Sequence, residues 1–137
     1  MKKQMIKDFF IEVKRYLGCY TSFRLYKFDQ GREFLLQRCL SRGQPVDISY
    51  FMITFELDGR YIQVWRRNRW YAYASSIYEV KRVDTTSGKD WLPVTIESLW
   101  APQRSVRRRT LIAFDRMVEL YEEARRDERR AIIDAKV

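Results

Sequence analysis

The run from Val46 to Leu57, followed by Asp58-Gly59 and then Arg60 to Arg66, constrains this chain more than any other segment. It is rich in β-branched and aromatic residues, and its alternation puts Phe51, Ile53, Phe55 and Leu57 on one face. An Asp-Gly pair between two such runs predicts a type I′ hairpin, because both central residues of that turn need positive φ. The centre of the chain is therefore expected to be antiparallel β. Beyond it, Arg67, Asn68 and Arg69 are expected to form a second turn, with strands near 70–74 and at 77–83. Thr85 to Asp90 is expected to be a polar loop.

Helices are expected at both ends. Ile6, Phe9, Phe10, Val13, Tyr16 and Leu17 recur at helical spacing over 3–17, and Gly18 supplies a stop. Lys3, Lys7 and Lys14 fall on the other face, as they would in a helix lying on an anionic membrane. Asp8 and Glu12 share that polar face, which favours packing on a sheet. Cys19 to Phe28 suggests a short strand. A second helix is expected over 30–42, capped by Asp29, faced by Phe34, Leu35, Leu36, Cys39 and Leu40, and ended by Gly43 and Pro45. The segment between Pro93 and Pro102 reads equally as a strand or a helical turn. A long last helix should start near Ser105, with Val106, Thr110, Phe114, Met117, Tyr121 and Ala124 on its apolar face. From Glu122 to Arg130 it is almost wholly charged, and the end at 122–137 is expected to protrude, with Ile132 and Ile133 an isolated pair suited to a partner contact or self-association. These elements predict one α+β domain over 1–137, an antiparallel β-meander of three to five strands with the N-terminal and long C-terminal helices packed on one face.

Composition narrows the function. The chain has 137 residues, no histidine and a net charge of +9, with 19 arginines against 8 lysines. Arginine at that density suits forked contacts to phosphate or carboxylate. Serine-hydrolase chemistry with a histidine base is excluded. No glycine-rich phosphate loop is present, and Cys19 and Cys39 lack a metal-ligand spacing. Reduced thiols and the absence of a long apolar run suggest a cytoplasmic protein with no membrane association.

Two arginine groups stand out as candidate binding residues. The first lies in the acid-free stretch 60–74 and comprises Arg60, Tyr61, Trp65, Arg66, Arg67, Asn68, Arg69 and Trp70. Strand alternation assigns Ile62 and Val64 to the core and turns Tyr61, Trp65 and Arg67 outward. The second comprises Arg104, Arg107, Arg108 and Arg109 at the start of the last helix, where the dipole itself disfavours cations. A sequence that opposes its local rule often serves a site.

The expectation is a non-enzymatic nucleic-acid-binding protein, with arginines on phosphates and rings on bases, and with no cofactor or metal. A second reading is an inhibitor or adaptor, phage- or mobile-element-encoded, whose same residues grip an acidic protein surface of a nucleic-acid-handling complex. A third rests on Glu79-Val80-Lys81, which resembles the short acid-x-lysine element found on a strand in one large family of metal-dependent nucleases. With Asp47 or Asp58 it would hold Mg²⁺.

Overall fold

Asp58 and Gly59 turn the chain as expected, with φ of 46° and 84°. In the computed structural model, which describes residues 2–18, 22–36, 45–69, 72–94 and 103–135, they join β2 (Pro45–Leu57) to β3 (Arg60–Arg69). Strand β1 (Phe23–Leu36) pairs with β2 on its other side, and β4 (Ala72–Thr85) and β5 (Gly88–Pro93) complete an antiparallel meander in the order β1-β2-β3-β4-β5. Helix α1 (Lys2–Leu17) precedes the sheet and α2 (Arg104–Ala135) follows it. The α+β architecture is that expected from the sequence.

The core lies between the two helices and one face of the sheet. Ile6, Phe9, Val13 and Leu17 of α1 are buried, as are Thr110, Phe114, Met117 and Val118 of α2. They cover Phe51, Ile53, Phe55 and Leu57 of β2, with Ile62, Val64 and Ile77 of β3 and β4 beside them. Phe55 is fully buried, with the rings of Phe9, Phe10 and Phe23 all centred 5.4–6.3 Å from its own. Burying each such side chain contributes about 1.5–3 kcal/mol. Gly18 ends α1 with φ of 70°, its N–H bonded to the Lys14 carbonyl. From Arg126 to Ala135 every residue of α2 is exposed.

Four local expectations are corrected. Residues 30–36 continue β1 instead of starting a helix, because β2 extends back to Pro45 and pairs with β1 out to Leu36. Asp29 accordingly does not cap a helix; its carboxylate pairs with Lys27 at 3.0 Å. Residues 37–44 and both cysteines lie outside the described residues. Arg67, Asn68 and Arg69 belong to β3, since Asn68 has Ser49 on one side and Tyr73 on the other. From Ala72 on, the expected strands at 70–74 and 77–83 are one strand, β4, while residues 70 and 71 lie outside the described residues. The polar loop contracts to a tight turn at Thr86 and Ser87, where Thr85 Oγ1 donates to Asp90 Oδ2 at 2.8 Å. Residues 95–102 are outside the described residues.

One irregularity shapes the rest. The β1–β2 register shifts between Leu25 and Lys27, leaving Tyr26 as the extra residue of a bulge. Bulges bend a strand, increase its twist and re-aim a side chain. Tyr26 is on β1 and Trp91 on β5, four strand spacings apart, about 19 Å in a flat sheet. Their ring centroids are 5.8 Å apart. The sheet is therefore strongly curled, concave on the side away from the helices.

Candidate functional site

The concave face is assembled from alternate residues of all five strands. Register places Tyr50, Met52, Thr54 and Glu56 of β2 there, opposite Arg67, Trp65, Gln63 and Tyr61 of β3. Met52, Thr54, Gln63 and Val80 form a buried floor. Its polar groups are satisfied in series: Trp65 Nε1 donates to Gln63 Oε1 at 3.2 Å, and Gln63 Nε2 donates to Thr54 Oγ1 at 3.1 Å. That bonding fixes the indole of Trp65.

Half-buried rings form two groups above the floor. At the end nearer the Asp58-Gly59 turn, Tyr26, Tyr61 and Trp91 meet with centroids 5.0–5.8 Å apart. Tyr26 Oη donates to Glu56 Oε2 at 3.1 Å. The Tyr26 phenol is pushed above its ordinary value, first by its hydrogen bond to Tyr61, then by desolvation and Glu56. Four residues along β3, about 13 Å, Trp65 meets Tyr50 at 5.4 Å. A Cβ on Gly31 would lie 2.9 Å from the Tyr50 ring, so the glycine lets that ring cross β1.

Three guanidiniums stand over these rings. Arg24 is 5.5 Å from the centroid of Tyr26, Arg82 is 5.5 Å from that of Trp91 and 5.9 Å from that of Tyr26, and Arg67 is 5.6 Å from that of Trp65. All three are exposed, and among the described residues none has a carboxylate at ion-pair distance. Cation–π contact holds each charge in place while the N–H edges stay open to an anion.

The first predicted arginine group is divided by this arrangement. Tyr61, Trp65 and Arg67 lie on the concave face. Arg66 points the opposite way, beneath α2, and is 6% exposed. Its Nη1 donates to the Asp115 carbonyl at 2.8 Å, its Nε donates to Asn68 Oδ1 at 2.9 Å, and its guanidinium stacks 4.1 Å from the Tyr73 centroid. Asn68 in turn donates from Nδ2 to Glu122 Oε1 at 3.1 Å. Those two side chains join sheet to helix. Arg60 pairs with Glu79 at 3.1 Å. The Arg69 side chain and Trp70 lie outside the described residues.

The second group is on the other side of the sheet. Arg104, Arg108 and Arg109 are exposed and Arg107 is half-buried at the start of α2, where the Gln103 carbonyl accepts from Val106 N and Arg107 N. Arg109 is held 4.7 Å from the Tyr16 centroid. The two groups thus do not share a face.

Glu79 of the acid-x-lysine element is occupied by Arg60, and Asp58 Oδ1 accepts from Ser22 N at 3.1 Å. Among the described residues no three carboxylate, cysteine or histidine side chains converge as a metal set. No described helix is long and apolar enough to cross a membrane.

Sequence reasoning missed Tyr26, Tyr50, Trp91, Arg24 and Arg82. Strand alternation from Phe23 and Leu25 puts both Arg24 and Tyr26 on the right face; the bulge then brings Lys27 to that face and Phe28 to the core. No local signal brings Trp91 to Tyr26; the curl does. No protein-family model matches this chain, and none of the curated proteins or solved structures compared with it matches significantly.

Proposed function

We propose that this chain binds single-stranded nucleic acid on the concave face of its sheet, without catalysing a reaction on it. The observation that carries this reading is the set of ring-stacked guanidiniums, Arg24, Arg67 and Arg82, with no carboxylate partner among the described residues. Their open N–H edges suit phosphate oxygens, and the flanking rings suit bases. Paired bases inside a duplex cannot stack on a protein ring, so the rings favour unpaired strands. The groups at Tyr61 and Trp65 would take separate bases, with phosphates met by Arg24 and Arg82 at one end and by Arg67 at the other.

Anisotropy of a labelled oligothymidine or oligouridine, measured across a salt series, tests the reading. Three phosphate contacts give a slope of about −2 in log K against log salt, at about 0.7 per phosphate on a single strand. Arg82→Ala should reduce that slope by about 0.7. Trp91→Ala should weaken binding by about 1–3 kcal/mol with the slope kept. Absence of binding at low salt, or equal affinity for duplex with Trp91→Ala silent, would overturn the proposal.

A further inference from the structure

A second surface lies on the opposite side of the molecule, in the groove between α1 and β1. It encloses about 400 Å³ over a floor that includes Phe10, Ile11, Phe23 and Leu25. Ile11 is 49% exposed and Leu25 is 41% exposed. Lys3, Lys7 and Lys14 line the same groove, spaced four and seven residues apart along one side of α1. No acid joins them. Asp8 accepts from Gln4 and Glu12 from Arg15, both within the helix. The groove's other wall, β1, is the edge strand of the sheet, and no further strand pairs with its outer side among the described residues.

We propose that this groove takes an extended segment of a partner protein, one carrying apolar side chains at alternate positions and Asp or Glu between them. The segment adds to β1 beside Phe23–Leu25 as a sixth strand. An edge strand supplies main-chain donors and acceptors, and pockets next to it select every second side chain. The lysine row selects for acids. A second copy of this chain fits poorly, because edge-to-edge pairing would bring two lysine rows together. A lipid surface fits poorly as well: Ile6, Phe9, Val13 and Leu17, the apolar stripe of α1, are buried against the core. A nucleic acid would find cations here, but Phe10 and Phe23 are packed on each other and on Phe55, and the exposed floor is Ile11 and Leu25 where its bases need open rings. This inference does not rest on the nucleic-acid reading.

The experiment is selection from a random peptide display library, run in parallel on the full chain and on its Lys3→Glu, Lys7→Glu, Lys14→Glu variant. These three side chains are exposed, so the variant should keep the wild-type circular dichroism spectrum. The wild type is expected to enrich acidic peptides with alternating apolar residues. A synthetic copy of the enriched peptide should bind the triple variant at least about ten-fold more weakly. It should slow amide exchange in β1 at Phe23–Leu25. Leu25→Ser should weaken the peptide and leave oligonucleotide affinity unchanged, which separates failure here from failure of the concave-face site. No enrichment, enrichment blind to charge, or protection appearing around Trp65 instead of β1 each overturns the proposal. Binding to anionic vesicles or concentration-dependent dimerisation that the triple variant abolishes, without peptide enrichment, overturns it too.

Discussion

Arg66 Nη1 donates to the main-chain carbonyl of Asp115 at 2.8 Å, across 49 residues of sequence. An arginine in a run of cations thus fastens α2 to the sheet. The carbonyl belongs to a helix interior and can accept this second bond through its other lone pair. Glu119 Oε1, 3.6 Å from Nη1, adds charge from the solvent side.

Arg66→Ala should destabilise the fold by about 2–4 kcal/mol, since it removes charged hydrogen bonds and leaves Asn68 Oδ1 without its donor. Urea denaturation measures this. Arg66→Lys should recover only part of the loss, because an ammonium cannot reproduce the fork or the stack on Tyr73. A midpoint unchanged in Arg66→Ala would show that the strut contributes nothing.

Asp115 gives a pH dependence of definite sign. Desolvation raises its carboxyl above the ordinary value of 3.8, against the pull of the Ser75 hydrogen bond and the Arg66 charge; Glu119 adds to the rise. The folded state then holds a proton that the unfolded chain has already released. The stability from this group is fullest below about 3.8 and falls as pH rises through the shifted value. Asp115→Asn removes that loss and keeps an oxygen for the Ser75 hydroxyl. Its stability relative to wild type should therefore climb as pH is raised from the acid range to neutrality. A relative stability that stays flat or declines would contradict the assignment.

Gly31→Ala tests how Tyr50 is held. The new methyl would sit 2.9 Å from Cε1 and from Oη of Tyr50, so the ring must shift. Because the Tyr50 ring rests on Trp65, the indole emission should change even though neither aromatic residue is altered. A loss of about 1 kcal/mol is expected from the displaced contact. Unchanged tryptophan emission would mean that the ring moves away without consequence for the concave face.

Truncation after Arg125 should cost less than about 0.5 kcal/mol, because residues 126–135 are all exposed. The link of α2 to the sheet in which Arg125 Nη1 donates to Gln30 Oε1 at 3.0 Å is retained. Thermal unfolding of the shortened chain measures it. A large fall in the midpoint would assign those turns a packing role that their exposure argues against.

Much of the fold was legible because its strongest signals are local. Phe51, Ile53, Phe55 and Leu57 alternate, Asp58-Gly59 permits positive φ, and Ile6, Phe9 and Val13, like Thr110, Phe114 and Met117, recur at helical spacing. Residues 30–36 were misread because Phe34-Leu35-Leu36 satisfies a helical face as well as a strand. The choice was made by β2, whose whole length is available for pairing. Arg66 and Arg67 are indistinguishable as residue types and adjacent in sequence. Alternation along β3 sends them to opposite faces, and only the packing of α2 shows that Arg66 braces a helix while Arg67 faces outward over Trp65. The site was half visible: Tyr61, Trp65 and Arg67 could be found by alternation, while the meeting of Tyr26 with Trp91 depends on the curl.

The contact between Tyr26 and Trp91 also sets an order of events. Every hairpin in this meander can close between neighbours in sequence, but these two rings are separated by nearly half the chain. Loop-closure entropy makes such a contact late. The concave face is therefore finished only when the first and last strands are both in place. A nascent chain that has not yet made β5 also lacks α2 with its Phe114, Met117 and Val118, so it can form its first hairpins but has neither the closed core nor a complete concave face.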